Sequence, residues 1–240
     1  MTWKSSELGR VVWPDYELVS DQCGAVWRIS QISPDRETAA EIASLCSREA
    51  AFLKGRCALS WLVDEVKILE KTHDRDLSLF GFWSDDELVG VILLKAHQLD
   101  LVIEYAFVCL RSDFKTHEAT CCTVRFALEV MRRSGAHLLY ADCVTHIIGA
   151  QNAVEACGLR PIGVQLGFEI FGGKGDECSR ATTIRYAKFL AEVESRVLDV
   201  SRLRLTPQAS SLVALVTEAF VEKETDDGGD VVFFPLKEAG

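Results

Sequence analysis

One polar turn in the sequence has the residue types of an anion-binding site. It follows an apolar strand over 102–110 and leads into a helix that begins near Glu118. The first amides of a helix have no intrahelical partner and point along a dipole that attracts negative charge. A phosphate group could therefore bind where this helix begins. The residues of this turn and first helical turn are Lys115, Thr116, His117, Glu118, Ala119 and Thr120.

Glu104 is the strongest candidate for acid–base chemistry, because it is the only charged residue in the apolar run 101–110. A carboxylate at this position can accept a proton from a substrate, directly or through water. Side chains alternate along a strand, so Tyr105 is expected on the opposite face of the sheet. In the alternative interpretation, Glu104 lies on the solvated side of the strand and takes no part in chemistry.

Other catalytic motifs do not occur in the sequence. Gly-x-Ser-x-Gly, the P-loop and His-Glu-x-x-His are absent, so a hydrolase, a kinase or a zinc protease has no support. The nine cysteines include no C-x-x-C pair and are expected to be reduced thiols packed as small apolar groups. Cys121 and Cys122 near His117 could form a metal or redox site, but adjacent residues point to different sides of a helix. The sequence therefore predicts no metal site.

Length and composition are those of a globular protein with one sizeable core. The chain has 240 residues, of which 48% are hydrophobic and 26% charged. Its formal net charge of −10 argues against a nucleic-acid partner, which would need clustered Lys and Arg. Because no apolar run is long enough to span a bilayer and no signal segment is apparent, we expect a cytoplasmic protein with no membrane partner.

The elements around the candidate residues predict an α/β fold with a hairpin that feeds a crossover unit. Polar turn residues 84–86 join the two strands of the hairpin, and Ser134-Gly135 ends the long central helix. The predicted strands cover 25–32, 77–83, 87–95, 102–110, 137–144 and 161–171. The predicted helices cover 34–50 with Ser33 as the cap, 59–71, 118–133 and 146–157.

The two ends of the chain are predicted to lie outside this pattern. Residues 1–24 are expected to form an N-terminal arm or an edge strand. Beyond 171 the sequence predicts a loop at 172–177, a helix over 180–198, a strand over 202–205, a helix over 208–222 and a strand over 231–234. The prediction for the domains is thus an arm at 1–24, one domain at 25–171, and an α/β extension at 172–240 packed on that domain.

The order of elements over roughly 25–170 resembles the GNAT superfamily of acyl-CoA-dependent N-acyltransferases. The resemblance implies a mixed, mostly antiparallel central sheet flanked by helices, here followed by a C-terminal helix and strand extension. It also implies transfer of an acetyl or other acyl group from acyl-CoA, such as acetyl-CoA, to an amine of a small molecule or protein. In that family the backbone at the end of the fourth strand receives the pantetheine arm, which corresponds to Val108, Cys109 and Leu110.

The same resemblance places the pyrophosphate on the turn from Lys115 to Thr120 and the general base on Glu104. The sequence departs from the family pattern at several positions. Glu118 and Thr120 stand where two glycines are expected, and Glu118 is also explained as an acidic residue in the first turn of a helix. Ile147 and Val154 occupy the positions of the family's Asn and Tyr, so the usual general acid is missing.

His146 is the candidate to replace that acid, with water and, after a local shift, Asn152 as alternatives. The other role for His146 is that of a residue at a helix N-terminus, with Thr145 as the cap. Three alternatives to the CoA-dependent enzyme stay open. The donor could be acyl carrier protein, which would dock on a basic surface around Arg125, Arg132 and Arg133. The chain could instead bind a ligand or partner without catalysis. It could also have a structural role and form a homodimer through its C-terminal tail.

Overall fold

The computed structural model of the protein describes residues 9–22, 25–50, 53, 58–172, 178–190, 206–207, 209–211 and 213–214. The chain divides into two compact units, Met1–Asp199 and Val200–Gly240. In the second unit, residues 209–211 and 213–214 are helical and fall within the helix predicted over 208–222. The strands predicted over 202–205 and 231–234, and the loop from 173 to 177, lie outside the described residues. The predicted division into arm, domain and extension stays a prediction.

A mixed sheet of eight strands crosses the described part of the first unit in the order β1-β2-β3-β4-β5-β6-β8-β7. The strands are β1 (Leu18–Gln22), β2 (Ala25–Gln31), β3 (Leu77–Ser84), β4 (Glu87–His97), β5 (Val102–Leu110), β6 (Leu138–Val144), β7 (Arg160–Gly172) and β8 (Cys178–Phe189). Neighbouring strands pair antiparallel, except that β5 and β6 are parallel. This topology confirms the predicted mixed, mostly antiparallel sheet.

Helices cover both faces of the sheet. They are α1 (Arg36–Glu49), α2 (Glu65–Lys71), α3 (His117–Ser134) and α4 (Ile148–Ala156), with 3₁₀ turns at Ser60–Val63 and Ser112–Phe114. Ile42 of α1 and Ile68 of α2 belong to a core with Val91 and Phe107 on one face. Phe126 of α3 belongs to a larger core on the other face. Among the described residues, no helix is both long and apolar enough to cross a membrane.

The helix starts differ from the predicted ones because other side chains cap them. The carboxylate of Asp35, and not Ser33, accepts the amide hydrogen bond of Thr38 at 2.8 Å, so α1 begins at Arg36. The helix predicted over 59–71 is divided by Asp64, whose extended backbone and side chain cap α2. The helix predicted over 146–157 begins at Ile148, and Ile147 rather than Thr145 is at its N-cap, without a side-chain bond.

The helix predicted over 180–198 is wrong for the part that the structure describes. Cys178–Phe189 forms strand β8, which pairs with β6 on one side and with β7 on the other. Its stretch Thr182-Thr183-Ile184 is β-branched, a composition that favours a pleated and half-buried strand. Because β8 is paired on both sides, this segment is a strand and not the helix that its residue spacing suggests.

Candidate active site

Strands β5 and β6 part from each other in the middle of the sheet. Their parallel register covers only three pairs, Val102↔Leu138, Ile103↔Leu139 and Glu104↔Tyr140, although both described strands continue further. On its other side β5 stays paired with β4 up to Leu110, with one register shift between Leu93 and Leu94 that leaves Ala106 as the extra residue of a β-bulge. The gap between the two strands beyond this short ladder is here called the cleft, and Glu104 and Tyr140, the last pair of the ladder, lie at its apex.

The carboxylate of Glu104 is at the centre of a three-membered hydrogen-bonded group. Its Oε2 lies 3.0 Å from Nε2 of His97, and it accepts a hydrogen bond of 2.8 Å from the hydroxyl of Tyr140. The same hydroxyl lies 3.1 Å from the His97 Nε2. The Glu104 side chain is 24% exposed and that of His97 is 32% exposed, so solvent reaches the group while most of it is covered.

An ion pair on the same face contacts Tyr140 from the far side. Arg185 of β8 donates from Nε and from one terminal nitrogen to the two carboxylate oxygens of Asp142, at 2.8 and 2.6 Å. Its guanidinium carbon lies 4.3 Å from the centroid of the Tyr140 ring. Burial and the nearby Glu104 carboxylate raise the pKa of Tyr140, so its hydroxyl is neutral and able to donate at neutral pH.

Tyr105 lies on the opposite face of β5, as the alternation of the strand predicts. Its hydroxyl is 2.7 Å from the hydroxyl of Thr123 on α3. Burial raises the pKa of this phenol. Of these two residues only Glu104 lines the cleft, because the Tyr105 side chain packs against α3.

The predicted pantetheine segment forms the end of β5. Cys109 contributes its side chain to the core beneath α1, while Val108 and Leu110 pack into the core beneath α3. Because the side chains of this segment are engaged in packing, its backbone is the part that can bond to a ligand. The backbone edge that faces β6 is beyond the last β5–β6 pair.

The turn after β5 is held by side-chain bonds. Arg111 binds Glu87 at the start of β4 and donates from Nε to Asp113 at 2.7 Å, and it lies over the ring of Phe114. Thr116 caps α3 by accepting the amide of Ala119 at 3.1 Å. The Thr120 amide bonds to the Thr116 carbonyl at 3.1 Å, so the amides of His117 and Glu118 are those of the first turn that have no acceptor within the helix.

Lys115 pairs with α1 in this structure. Its Nζ lies 3.0 Å from the Glu49 carboxylate and donates to the Glu49 backbone carbonyl at 3.4 Å. The hydrogen bond from Lys115 lowers the pKa of Glu49. The Lys115 side chain is 47% exposed, so it can reorient toward an anion on the turn at the loss of one surface ion pair.

The remaining residues of the predicted anion site are at the start of α3. Glu118 and His117 are exposed, and Ala119 is fully buried. Thr120 donates its hydroxyl hydrogen bond to the Thr116 carbonyl at 2.9 Å. The predicted role of these residues in binding a pyrophosphate stays a prediction.

Cys121 and Cys122 are both buried, as packing of α3 requires. Cys121 Sγ lies 3.4 Å from Nε2 of His117, one helical turn earlier. Among the described residues, no group of three or more metal-ligating side chains could hold a metal ion. The interpretation of the cysteines as packing residues is therefore consistent with their burial.

The residues at the two positions where the resemblance implies an Asn and a Tyr differ in exposure. Ile147 is 45% exposed at the turn before α4, whereas Val154 is 2% exposed and belongs to the core. His146 is exposed in the same turn, beyond the end of β6. Since four residues of strand from Tyr140 to Val144 span about 13 Å, His146 is far along the cleft from Glu104. The structure does not bring the two candidate catalytic residues together.

A cavity of about 290 Å³ lies at the start of β3. Its lining includes Trp61, Lys71, His73 and Leu77. Leu77 is paired with Lys95, and Lys95 with Glu104, so the cavity is two strands away from the catalytic candidate. At the usual strand spacing that separation is about 10 Å.

Sequence reasoning missed four residues of this site: His97, Tyr140, Asp142 and Arg185. A partial signal existed, because Tyr140 and Asp142 are the polar members of an alternating strand and must share a face. His97 ends β4 and Arg185 was assigned to a helix. Neither could be placed beside Glu104 without the strand order and register.

The sequence matches no model of a known protein family and no curated protein. Solved structures do match, and they share one fold, so the described chain has the fold of the GNAT acetyltransferases. One is RimJ of Mycobacterium smegmatis in complex with CoA-disulfide, at a TM-score of 0.57 and 12% identity, covering 88% of this chain and 94% of that one.

Two further neighbours have similar scores. The microcin C7 self-immunity acetyltransferase MccE, in complex with acetyl-CoA and AMP, has a TM-score of 0.55 and 14% identity, covering 68% of this chain and 92% of that one. A dodecameric spermidine N-acetyltransferase from Vibrio cholerae has a TM-score of 0.56 and 14% identity, covering 71% of this chain and 97% of that one. At these identities the likeness establishes the fold.

Proposed function

We propose that this protein is an acyl-CoA-dependent N-acyltransferase that moves an acetyl or other acyl group from CoA to an amine. The observation that carries the proposal is the position of the Glu104 carboxylate at the apex of the cleft between β5 and β6. The fold alone does not establish an activity, since one fold can host many functions. The proposal therefore depends on this residue and its surroundings.

The donor would enter from the carboxyl end of β5. The β5 backbone beyond Tyr105 has β4 on one side and the open cleft on the other, so it can bond to the amides of a pantetheine arm. The same strand end leads to the first turn of α3, where free amides and Lys115 can meet a pyrophosphate. RimJ and MccE were solved with CoA-disulfide and acetyl-CoA, which supports CoA as the donor here.

Glu104 would act as the general base. An amine is protonated at neutral pH and must lose a proton before it can attack a thioester. The hydrogen bonds of Glu104 to described residues fall on Oε2, which leaves Oε1 to accept that proton directly or through water. The acceptor would approach on the face that carries α1 and α2, where the cavity beside Leu77 can hold part of it.

The surface of α3 gives less support to acyl carrier protein as the donor. Arg132 and Arg133 both bind Glu129, at 3.1 and 2.6 Å, and Arg133 also lies over the ring of Tyr16. The Glu129 carboxylate thus neutralises one of the three positive charges that a carrier protein would recognise on this helix. We therefore favour acyl-CoA over acyl carrier protein as the acyl donor.

Binding of CoA thioesters and turnover of amines together test the proposal. Acetyl-CoA, CoA and longer acyl-CoA should each raise the melting temperature, and release of free CoA thiol should follow addition of an amine from a panel of polyamines, amino acids and peptides. Absence of any shift with these thioesters would contradict the proposed donor. Binding without turnover of any amine would favour a ligand-binding protein without catalysis, and turnover only with acyl carrier protein would replace the donor.

A further inference from the structure

The candidate site lacks a proton donor at the position where it is expected. Val154 stands there and is buried in the core with 2% exposure. A thiolate leaving group needs a proton, and at neutral pH a phenol is a suitable donor. The chain contains four tyrosines, all of them in the described residues.

Three of the four tyrosines have side chains that pack or form hydrogen bonds outside the cleft. Tyr16 stacks on Phe126. Tyr105 bonds to Thr123 beneath α3, and Tyr186 donates to a carboxylate oxygen of Glu155 on α4 at 2.9 Å. Each of these hydroxyls or rings faces the helices α3 and α4. Tyr140 alone of the four is at the apex of the cleft.

The surroundings of Tyr140 fit a group that gives up a proton and regains it. Its hydroxyl already donates to Glu104 Oε2 at 2.8 Å, and this carboxylate is the proposed base. His97 lies within 3.1 Å of the same hydroxyl, and the Arg185 guanidinium lies over the ring, where its positive charge offsets part of the rise in the pKa of Tyr140 that burial and Glu104 cause. Arg185 is in turn fixed by both oxygens of Asp142.

We propose that Tyr140 is the general acid of the transfer and that Glu104 and Tyr140 form one proton relay; this inference rests on the proposed function. The protonated amine first gives one proton to solvent through Glu104. Attack of the neutral amine then forms the N–C bond, and the nitrogen loses its second proton to Glu104. The C–S bond breaks as the Tyr140 hydroxyl gives its proton to the departing sulfur. A rotation of the Glu104 carboxyl group then brings the protonated oxygen to the phenolate, and Glu104 returns the captured proton to the Tyr140 oxygen. One proton moves from nitrogen to sulfur, and both side chains end as they began.

His97 contacts both members of this relay. The side chains that face it are Glu104 from β5 and Tyr140 from β6, with Arg185 and Asp142 behind the ring. A proton on Nε2 of His97 would be shared with the Glu104 carboxylate and the tyrosine oxygen. His97 thus acts through its two neighbours as a positioning residue.

Two variants of matched chemistry test the relay by kinetics. Tyr140→Phe should lower kcat by about a hundredfold or more with an unchanged KM for acetyl-CoA, because only the proton donor is removed. Tyr186→Phe also removes one tyrosine hydroxyl, from the other face of the sheet, and should keep the wild-type kcat. Melting temperatures of both variants show whether they fold. A Tyr140→Phe enzyme with the wild-type kcat would overturn the relay and leave the proposed function intact.

A second measurement needs no turnover. In the complex with CoA, a hydrogen bond from Tyr140 stabilises the thiolate, so the pKa of the bound CoA thiol should be higher in Tyr140→Phe than in the wild type. Ultraviolet absorbance of the thiolate measures it, with the desulfo-CoA complex as the blank. An equal thiol pKa in both proteins would overturn the relay even if no acceptor amine is found. Failure of the wild type to bind CoA would overturn the proposed function and the relay together.

Discussion

Arg185 binds both carboxylate oxygens of Asp142 across the β6–β8 pair, at 2.8 and 2.6 Å. The Asp142 side chain is 12% exposed and that of Arg185 31%, so the pair is partly shielded from water. Since the guanidinium also lies over Tyr140, this pair connects the strand β8 to the candidate active site. The geometry depends on the planar fork of Arg, which Lys does not have.

Arg185→Lys is therefore expected to lower the free energy of unfolding by about 1–2 kcal/mol, less than for a fully buried pair, because water reaches both partners. It should also lower kcat, because the Tyr140 ring loses the guanidinium that lies 4.3 Å from its centroid. Denaturant unfolding and acetyl transfer assays measure the two effects. Arg180→Lys is the control on the same strand: Arg180 is exposed and donates one hydrogen bond of 3.0 Å to the Gly167 carbonyl, so this change should cost less stability than Arg185→Lys and leave kcat unchanged. Equal unfolding free energies for Arg185→Lys and the wild type would contradict the prediction.

Glu104→Gln should keep the shape of the cluster and remove the base. The expected result is a fall in kcat of about 10²- to 10⁴-fold with little change in the affinity for acetyl-CoA. Glu70→Gln, at an exposed residue on α2 outside the predicted site, provides the comparison for the loss of one negative charge. Retention of full kcat/KM in Glu104→Gln would remove this residue from the base role.

Lys115 and Glu49 are expected to have opposite effects on the donor. Lys115→Met should weaken binding of acetyl-CoA, whereas Glu49→Gln should strengthen it by releasing the lysine from its 3.0 Å ion pair. Neither change should affect S-acetylpantetheine, which has no pyrophosphate. Calorimetric titration with both thioesters makes the comparison. If S-acetylpantetheine lost affinity equally in Lys115→Met, Lys115 would not act through the pyrophosphate.

Glu129 should give the stability a measurable dependence on pH. Hydrogen bonds from Arg133 and Arg132 lower its pKa in the folded state. A lowered pKa stabilises the fold above the ordinary pKa of the unfolded residue, and this contribution is lost as the pH falls through the folded value. Glu129→Gln should thus lose about 0.5–1 kcal/mol at pH 7 and almost nothing at strongly acidic pH. Denaturation of both proteins across the acidic range tests this; a constant difference would refute it.

Two glycines should respond in opposite directions to the same substitution. Gly135 ends α3 with a φ of 80°, and an added Cβ would lie 3.2 Å from the Arg10 carbonyl, so Gly135→Ala should destabilise the fold by about 1 kcal/mol. Gly149 is within α4 and has open space around the Cβ position, so Gly149→Ala should stabilise it by about 0.5–1 kcal/mol. Thermal unfolding of the two variants shows whether their shifts have opposite signs.

Local patterns were sufficient for much of the sheet and for some of its ends. The apolar run 102–110 became β5, and the polar residues after Ser84 became a two-residue hairpin turn with positive φ at Asp85 and Asp86. Gly135 ends α3 in the left-handed conformation that the sequence predicts. These features depend on neighbours within a few residues, which is the range over which periodicity and turn chemistry act.

The start of α1 shows where local signals compete. Ser33 and Asp35 are both suitable caps, and the sequence alone favoured the serine ahead of a proline. Asp35 takes the role because its backbone is extended and its carboxylate reaches the Thr38 amide. Which of two nearby residues caps the helix depends on the path of the chain as it leaves the preceding strand. Here that path is fixed by the Ile32 amide, which donates to the Leu79 carbonyl of β3.

The sequence by itself determined that Glu104 is a lone carboxylate in an apolar strand, that Tyr105 faces the other way, and that a helix with a polar first turn follows. Only the tertiary structure decided what Glu104 meets. His97 and Tyr140 are 7 and 36 residues away along the chain, and they come together because antiparallel and parallel registers align three strands. Arg185 joins them because β8 inserts between β6 and β7. The order of strands that are distant in sequence depends on hydrogen bonds and packing between those segments, which no local pattern encodes.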